Sequence, residues 1–173
     1  LDDTELDLAM READIAIRMR QPVQPDLIQR RLFTVHFHLY ASKSYVERFG
    51  KPTTLSELDQ HRLVTFGDTA PSYLKQINWL ETAGCAPGDP RRSTLRINNI
   101  LAIRRAVRKG IGVALLPDYL IEETEQNLLT RIDIDGELPA YDTYFVYPSE
   151  MRNSARVKAF RDFLVAKAEA WSY

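Results

Sequence analysis

The side chains able to react or to bind are few in this sequence, and their spacing decides what they can do. His36 and His38 share one face of a strand, as two metal ligands must, but no third ligand stands at a matching spacing. They read as half-buried polar strand positions. Gly110-Ile111-Gly112 needs a third glycine where Leu115 stands, and it follows a helix rather than opening one, so it makes no phosphate loop. Asp133-Ile134-Asp135-Gly136 lacks the remaining oxygen ligands of a calcium loop and reads as a tight turn. There is no Gly-X-Ser-X-Gly elbow, and a base for any nucleophile would have to come from His36, His38 or His61. Neither catalysis nor a metal or organic cofactor is expected.

Other residues suit binding. Arg18 ends the apolar run Ile15-Ala16-Ile17, at the strand edge where open α/β sheets hold ligands; a salt bridge to a nearby carboxylate is its competing role. Asn98 and Asn99 stand where a strand hands over to a helix, so the first helical amides favour an anion there, beside the ordinary work of an N-cap. Cys85 has Arg91 and Arg92 near it in sequence, which can favour a thiolate. Redox sensing is therefore an alternative to an inert packed or exposed cysteine. The cluster Arg104, Arg105, Arg108 and Lys109 reads as a solvated helix face.

These residues need elements to hold them. Leu6, Met10 and Ala13 recur at helical spacing and predict a helix over about 4–12, and Ile15 to Ile17 predicts a strand covered on both faces. Alternation of Phe33, Val35, Phe37, Leu39 and Ala41 predicts a strand over 31–42, long enough to pass from one lobe to another. Ser42 is placed to cap a helix that stops at Gly50, and Thr54 with Glu57 to form a capping box for another. Strands are expected at 63–66, 95–97, 113–116, 128–132 and 141–147, with irregular chain at 67–71 and 84–92. A helix over 99–109 turns Ile100, Ile103 and Val107 to one side and closes at Gly110. Pro117 opens a short helix to about 125. The last helix, capped by Asn153 or Ser154, sets Val157, Phe160, Phe163 or Leu164, and Trp171 on one stripe. Strands alternating with helices predict an α/β layer fold on mainly parallel sheets.

At 173 residues the chain can bury a real core as one domain or two small lobes. Its 23 basic and 24 acidic side chains leave a net charge of −1, which gives no field to hold phosphates and makes this segment a poor nucleic-acid binder. A single cysteine forms no internal disulfide and fits a reducing cytoplasm. The first residues lack the features of a signal peptide, and the chain opens inside a helical pattern whose natural start is expected further upstream.

The order of motifs then becomes informative. Asp14-Ile15-Ala16-Ile17-Arg18, Arg31-Leu32-Phe33 leading to Leu39-Tyr40-Ala41-Ser42, Tyr45, and Phe49-Gly50-Lys51-Pro52 followed by Leu55 and Leu58 resemble the middle of LysR-type effector domains. Asn98-Asn99, the run Gly110-Ile111-Gly112-Val113-Ala114-Leu115-Leu116-Pro117, Val146-Tyr147-Pro148 and Arg156 to Leu164 are similar to that family's later landmarks. Each motif is weak alone; together they cover nearly the whole chain.

The resemblance implies an α/β fold of periplasmic-binding-protein type 2, with two lobes joined by crossover strands and an effector held in the cleft. Lobe one would comprise residues 1–38 and 140–173, and lobe two residues 39–139. Cleft candidates carried over are Arg18, the segment Thr65, Phe66 and Gly67, and the segment Asn98, Asn99 and Ile100. It also implies a winged helix-turn-helix and a first strand and helix of lobe one outside these residues, together with self-association into a dimer or tetramer. The expected role is allosteric sensing of a small, anionic effector for a bacterial transcriptional regulator. The alternative is a solute-binding module of a transport system, which shares the fold.

Overall fold

The structure, a computed structural model, describes residues 8, 12–67, 76–121 and 127–170. In chain order its elements are β1 (Ala16–Arg18), β2 (Leu27–Ser42), α1 (Lys43–Phe49), β3 (Val64–Phe66), α2 (Trp79–Thr82), β4 (Leu95–Ile97), α3 (Ile100–Arg108), β5 (Ala114–Pro117), β6 (Leu129–Ile132), β7 (Ala140–Pro148) and α4 (Ala155–Glu169). Short 3-10 turns lie at Ser56–Gln60, Asp118–Leu120 and Ser149–Asn153. The chain divides into two compact units, residues 1–35 with 140–173, and residues 36–139. The helix expected over about 4–12 lies outside the described residues, apart from Leu8 and Glu12.

In the first unit β1 pairs antiparallel with β7, Ile17 opposite Phe145 and Arg18 opposite Tyr144. Thr143 on β7 ties to β2 by donating its hydroxyl to the Phe33 carbonyl at 2.7 Å. Phe145, Tyr147 and Val157 form the core, with Ile28, Leu32, Met151 and Leu164 against it. Ser154 caps α4, its hydroxyl accepting from the Val157 amide at 3.4 Å.

Two expectations fail in this unit. Ile17 is 55% exposed while Arg18 is 8% exposed, so β1 is not covered on both faces; alternation turns Ile17 away from the side that buries Arg18. On α4 Val157 is buried and Leu164 packs, partly buried, on the core as expected, and Ala168 is buried too, whereas Phe160 and Phe163 are 41% and 54% exposed and stack on each other. At 3.6 residues per turn, steps of seven and eleven return to one side and steps of three and six drift off it. Trp171 lies outside the described residues.

The second unit pairs the later part of β2 antiparallel with β5 and β6, and β3 parallel with β4. The mainly parallel arrangement expected from the sequence is thus corrected: β1–β7, β2–β5 and β2–β6 are all antiparallel. Apolar runs report burial on both faces rather than direction, and β5, with all four residues buried, meets that condition in an antiparallel ladder. Tyr40, Val64, Phe66, Ile103, Val107 and Leu116 are among the residues of this unit's core.

Local chemistry sets the helix ends. The Ser42 hydroxyl accepts from the Tyr45 amide at 3.1 Å to start α1, and Gly50, at φ 81°, ends it. Before the 3-10 turn at Ser56–Gln60 the capping is reciprocal but spread over two threonines. The Thr53 amide donates to Glu57 Oε2 at 2.7 Å, and the Glu57 amide donates to Thr54 Oγ1 at 3.4 Å. Pro117 leads into a 3-10 turn over Asp118–Leu120, and residues 122–126 lie outside the described set. Among the described residues no helix is long and apolar enough to cross a membrane.

Candidate functional site

β3 and β4 run parallel with Thr65 opposite Arg96 and Phe66 opposite Ile97, so their carboxyl ends reach one edge of the second unit. The chain leaves that edge as Gly67 on one side and Asn98-Asn99 on the other, joined by the Gly67 amide donating to the Ile97 carbonyl at 3.3 Å. Asn98 lies against the bare Cα of Gly67. A Cβ built there would sit 1.6 Å from Asn98 Oδ1, which no side chain tolerates.

Asn99 caps α3, its Oδ1 accepting from the Ala102 amide at 3.1 Å. The amides of Ile100 and Leu101 have no partner within the helix and carry the positive end of its dipole toward this edge. The Ile100 side chain packs, partly buried, on the unit's core. Residues 65–67 and 98–100, expected at one site, therefore meet at one strand edge.

Their side chains do different work. Thr65, 3% exposed, turns inward: its hydroxyl is 2.9 Å from Glu81 Oε1 and 2.7 Å from Ser93 Oγ, and Ser93 Oγ donates to Glu81 Oε1 at 2.6 Å. Arg96 completes the set, Nη2 lying 3.1 Å from Glu81 Oε1. The buried Glu81 carboxylate is thus met by two hydroxyls and a guanidinium, as a desolvated charge requires. Phe66 buries its ring and leaves its backbone to Asn78, whose Oδ1 accepts from the Phe66 amide at 2.9 Å and whose Nδ2 donates to the Phe66 carbonyl at 3.0 Å.

Sequence reasoning passes over Asn78 and Glu81. The available signal is their three-residue spacing at the head of a helix, the pattern of an N-cap and its N3 acid. Here both side chains turn instead to β3.

Arg18 belongs to the first unit, at the carboxyl end of β1, and is 8% exposed. Cys85 is half-buried and donates its thiol to the Glu81 carbonyl at 3.4 Å. It shares a cavity of about 480 Å³ with His61, Leu63, Asp89 and Arg92. Arg91 is a loop clasp: it bonds the Asp59 carboxylate and the carbonyls of Leu55, Leu80 and Ala83.

His36 is exposed, and His38 Nδ1 lies 2.7 Å from Asp118 Oδ1, which also accepts from the Tyr40 hydroxyl at 3.1 Å. Burial, and then the Asp118 charge, push the Tyr40 phenol well above its ordinary pKa. Among the described residues no three His, Cys, Asp or Glu side chains gather as a metal site.

Comparison with known proteins gives this geometry a family. The model of the LysR substrate binding domain matches residues 2–169. An HTH-type transcriptional regulator of Xanthomonas campestris pv. campestris (strain 8004) is 29% identical over 169 residues, 96% of this chain and 49% of that protein. The HTH-type transcriptional regulator PtxR of Pseudomonas aeruginosa is 30% identical over 165 residues, 94% of this chain and 52% of that protein. The chain thus spans about half the length of these curated relatives.

Among solved structures, the CrgA regulatory domain from Neisseria meningitidis aligns with a TM-score of 0.77 at 24% identity, over 96% of this chain and 81% of that one. The regulatory domain of CcmR from Synechocystis PCC6803, solved in complex with 2-PG, aligns with a TM-score of 0.71 at 18% identity, over 93% of this chain and 76% of that one. The fold is therefore the mixed α/β, periplasmic-binding-protein-like type 2 class of these regulatory domains. The chain belongs to the LysR substrate binding domain family, and these relatives are described as HTH-type transcriptional regulators.

Proposed function

We propose that this chain senses a small effector bearing a negative group and passes its occupancy to a DNA-binding domain outside these residues. Candidate contacts are Arg18 in the first unit and residues 65–67 and 98–100 in the second. Within 65–67 the Thr65 hydroxyl, both backbone groups of Phe66 and the Gly67 amide are already engaged, so this segment shapes the site while the amides opening α3 supply the donors for the negative group. The observation that supports the reading is the shared edge of β3 and β4, where the amides opening α3 emerge beside Gly67.

An effector that prefers one arrangement of the protein shifts that population, and the shift is the signal. On this reading the intact regulator acts as a dimer or tetramer in the cytoplasm, a reducing compartment with which this chain's single cysteine is compatible. A transport solute-binding module would share the fold. The descriptions of the relatives as transcriptional regulators favour the sensor.

The test is calorimetric titration of the intact regulator with a panel of small carboxylates and their uncharged amides or alcohols. Carboxylates are expected to bind, and their uncharged partners to bind at least about tenfold more weakly, the scale of one charge-assisted bond. Equal binding of the two sets overturns the anionic reading. Sequence-specific DNA binding by this chain alone overturns the assignment of DNA contact to another domain.

A further inference from the structure

Beyond effector sensing, we infer that the end of α1 carries a docking face for an acidic segment of another protein, built on Phe49 and the guanidiniums of Arg48 and Arg62. Arg48 Cζ lies 5.2 Å and Arg62 Cζ 5.1 Å from the Phe49 ring centroid. Tyr45 packs against the same ring with centroids 4.8 Å apart. Phe49 nevertheless stays 41% exposed. Two cations are thus held in fixed positions at the surface by one aromatic ring, which lowers the entropy lost when they bind.

Three chain segments meet here. The Val113 amide donates to the Arg62 carbonyl at 2.8 Å, and the Arg62 amide donates to the Tyr45 hydroxyl at 3.0 Å. Gly110 approaches the hydroxyls of Ser42 and Ser44 so closely that a Cβ there would lie 3.3 and 3.5 Å from them. Residues 43–49, 61–62 and 108–112 together hold five cations, Lys43, Arg48, Arg62, Arg108 and Lys109, against one carboxylate, Glu47. Nearby Glu57 is held by Thr53. In a chain of net charge −1 this is a strong local excess. Ile111, 38% exposed, adds an apolar neighbour.

The chemistry selects the partner. A nucleic-acid base would need an open ring face, but guanidiniums and Tyr45 crowd Phe49. What remains accessible is guanidinium N–H, which forks onto carboxylates, beside modest apolar surface. That combination fits a peptide with paired acidic residues flanking an aliphatic one.

The test is fluorescence anisotropy of this protein with a labelled peptide of repeated Glu-Glu-Leu triplets and, in parallel, a labelled DNA duplex. The peptide is expected to bind, and Arg48→Glu or Arg62→Glu to weaken it about tenfold, whereas Lys158→Glu on α4 leaves it unchanged. Phe49→Leu keeps every charge and is expected to weaken binding about threefold by releasing the guanidiniums. Thermal unfolding establishes that each variant is folded. Unchanged binding in a folded Arg48→Glu, Arg62→Glu double variant overturns the inference, as does unchanged binding in Phe49→Leu. Tighter binding of the duplex, lost in the same variants, would assign the face to nucleic acid instead. Sedimentation showing self-association that Arg48→Glu abolishes would assign it to a second copy of the chain.

Discussion

Asn78 holds Phe66 by both backbone groups at once, its amide standing where a neighbouring strand would otherwise pair. β3 has β4 on one side, and at Phe66 the other side is completed by a single side chain. Asn78→Ala would leave two largely buried backbone groups unpaired, for an expected loss of about 2 to 4 kcal/mol. Denaturant unfolding reads this directly. A loss below about 0.5 kcal/mol would show that the clasp contributes little.

The contact between Gly67 and Asn98 predicts coupling. Gly67→Ala puts a methyl where Asn98 Oδ1 lies, and an overpacked contact of this kind costs about 1 to 3 kcal/mol. Asn98→Gly in the same chain removes the obstruction. The double variant is expected to be more stable than Gly67→Ala alone, and a double-mutant cycle measures the difference. Additive losses would refute the interlock.

His61 gives stability a pH dependence of known sign. The Tyr45 hydroxyl accepts from the Arg62 amide at 3.0 Å and is hydrogen-bonded to His61 Nδ1, also at 3.0 Å. Burial lowers the His61 pKa from 6.5, opposed in part by the Glu57 charge. Below 6.5 the unfolded chain takes up a proton that the folded chain resists. The contribution is therefore complete above that pH and is lost as pH falls through the window down to the folded value. His61→Gln keeps an acceptor for Tyr45 and does not titrate. Its melting temperature, relative to the parent, is expected to rise between about pH 7 and pH 5.5, and parallel profiles would refute the assignment.

Arg18→Ala is expected to weaken the effector by about 1.5 to 3 kcal/mol, or one to two decades in affinity. Arg18→Lys recovers part of that loss, since a point charge does not reproduce a planar fork. Calorimetry on the intact regulator decides this once its effector is in hand. Unchanged affinity in a folded Arg18→Ala protein would leave Arg18 a structural partner only.

The parts legible in the sequence are those decided locally. Ser42 and Gly50 mark the ends of α1, and Asn99 and Gly110 those of α3, because caps are contacts between near neighbours. Asn78 and Glu81 escape such reading. They act on residues 12 and 16 positions away, and the four-residue α2 is too short to show a period. Strand direction is likewise silent, since β5 is buried on both faces whichever way its partner runs. On α4 Val157 and Leu164 are legible, but the heavier aromatics Phe160 and Phe163 draw the expected stripe away from the small Ala168 that the helix geometry buries.

The first unit draws on both ends of the chain, with Ala16 on β1 paired to Val146 on β7, while the second is one continuous stretch between them. During synthesis, residues 36–139 can all emerge and collapse before β1 meets its partner. Closing so long a loop costs chain entropy that grows only slowly with length, but it delays the contact until translation has passed Val146. The nascent β1 therefore waits without its partner, and a ribosome stalled as it enters β7 holds a chain whose second unit is complete in sequence and whose first still lacks the strand that β1 pairs with.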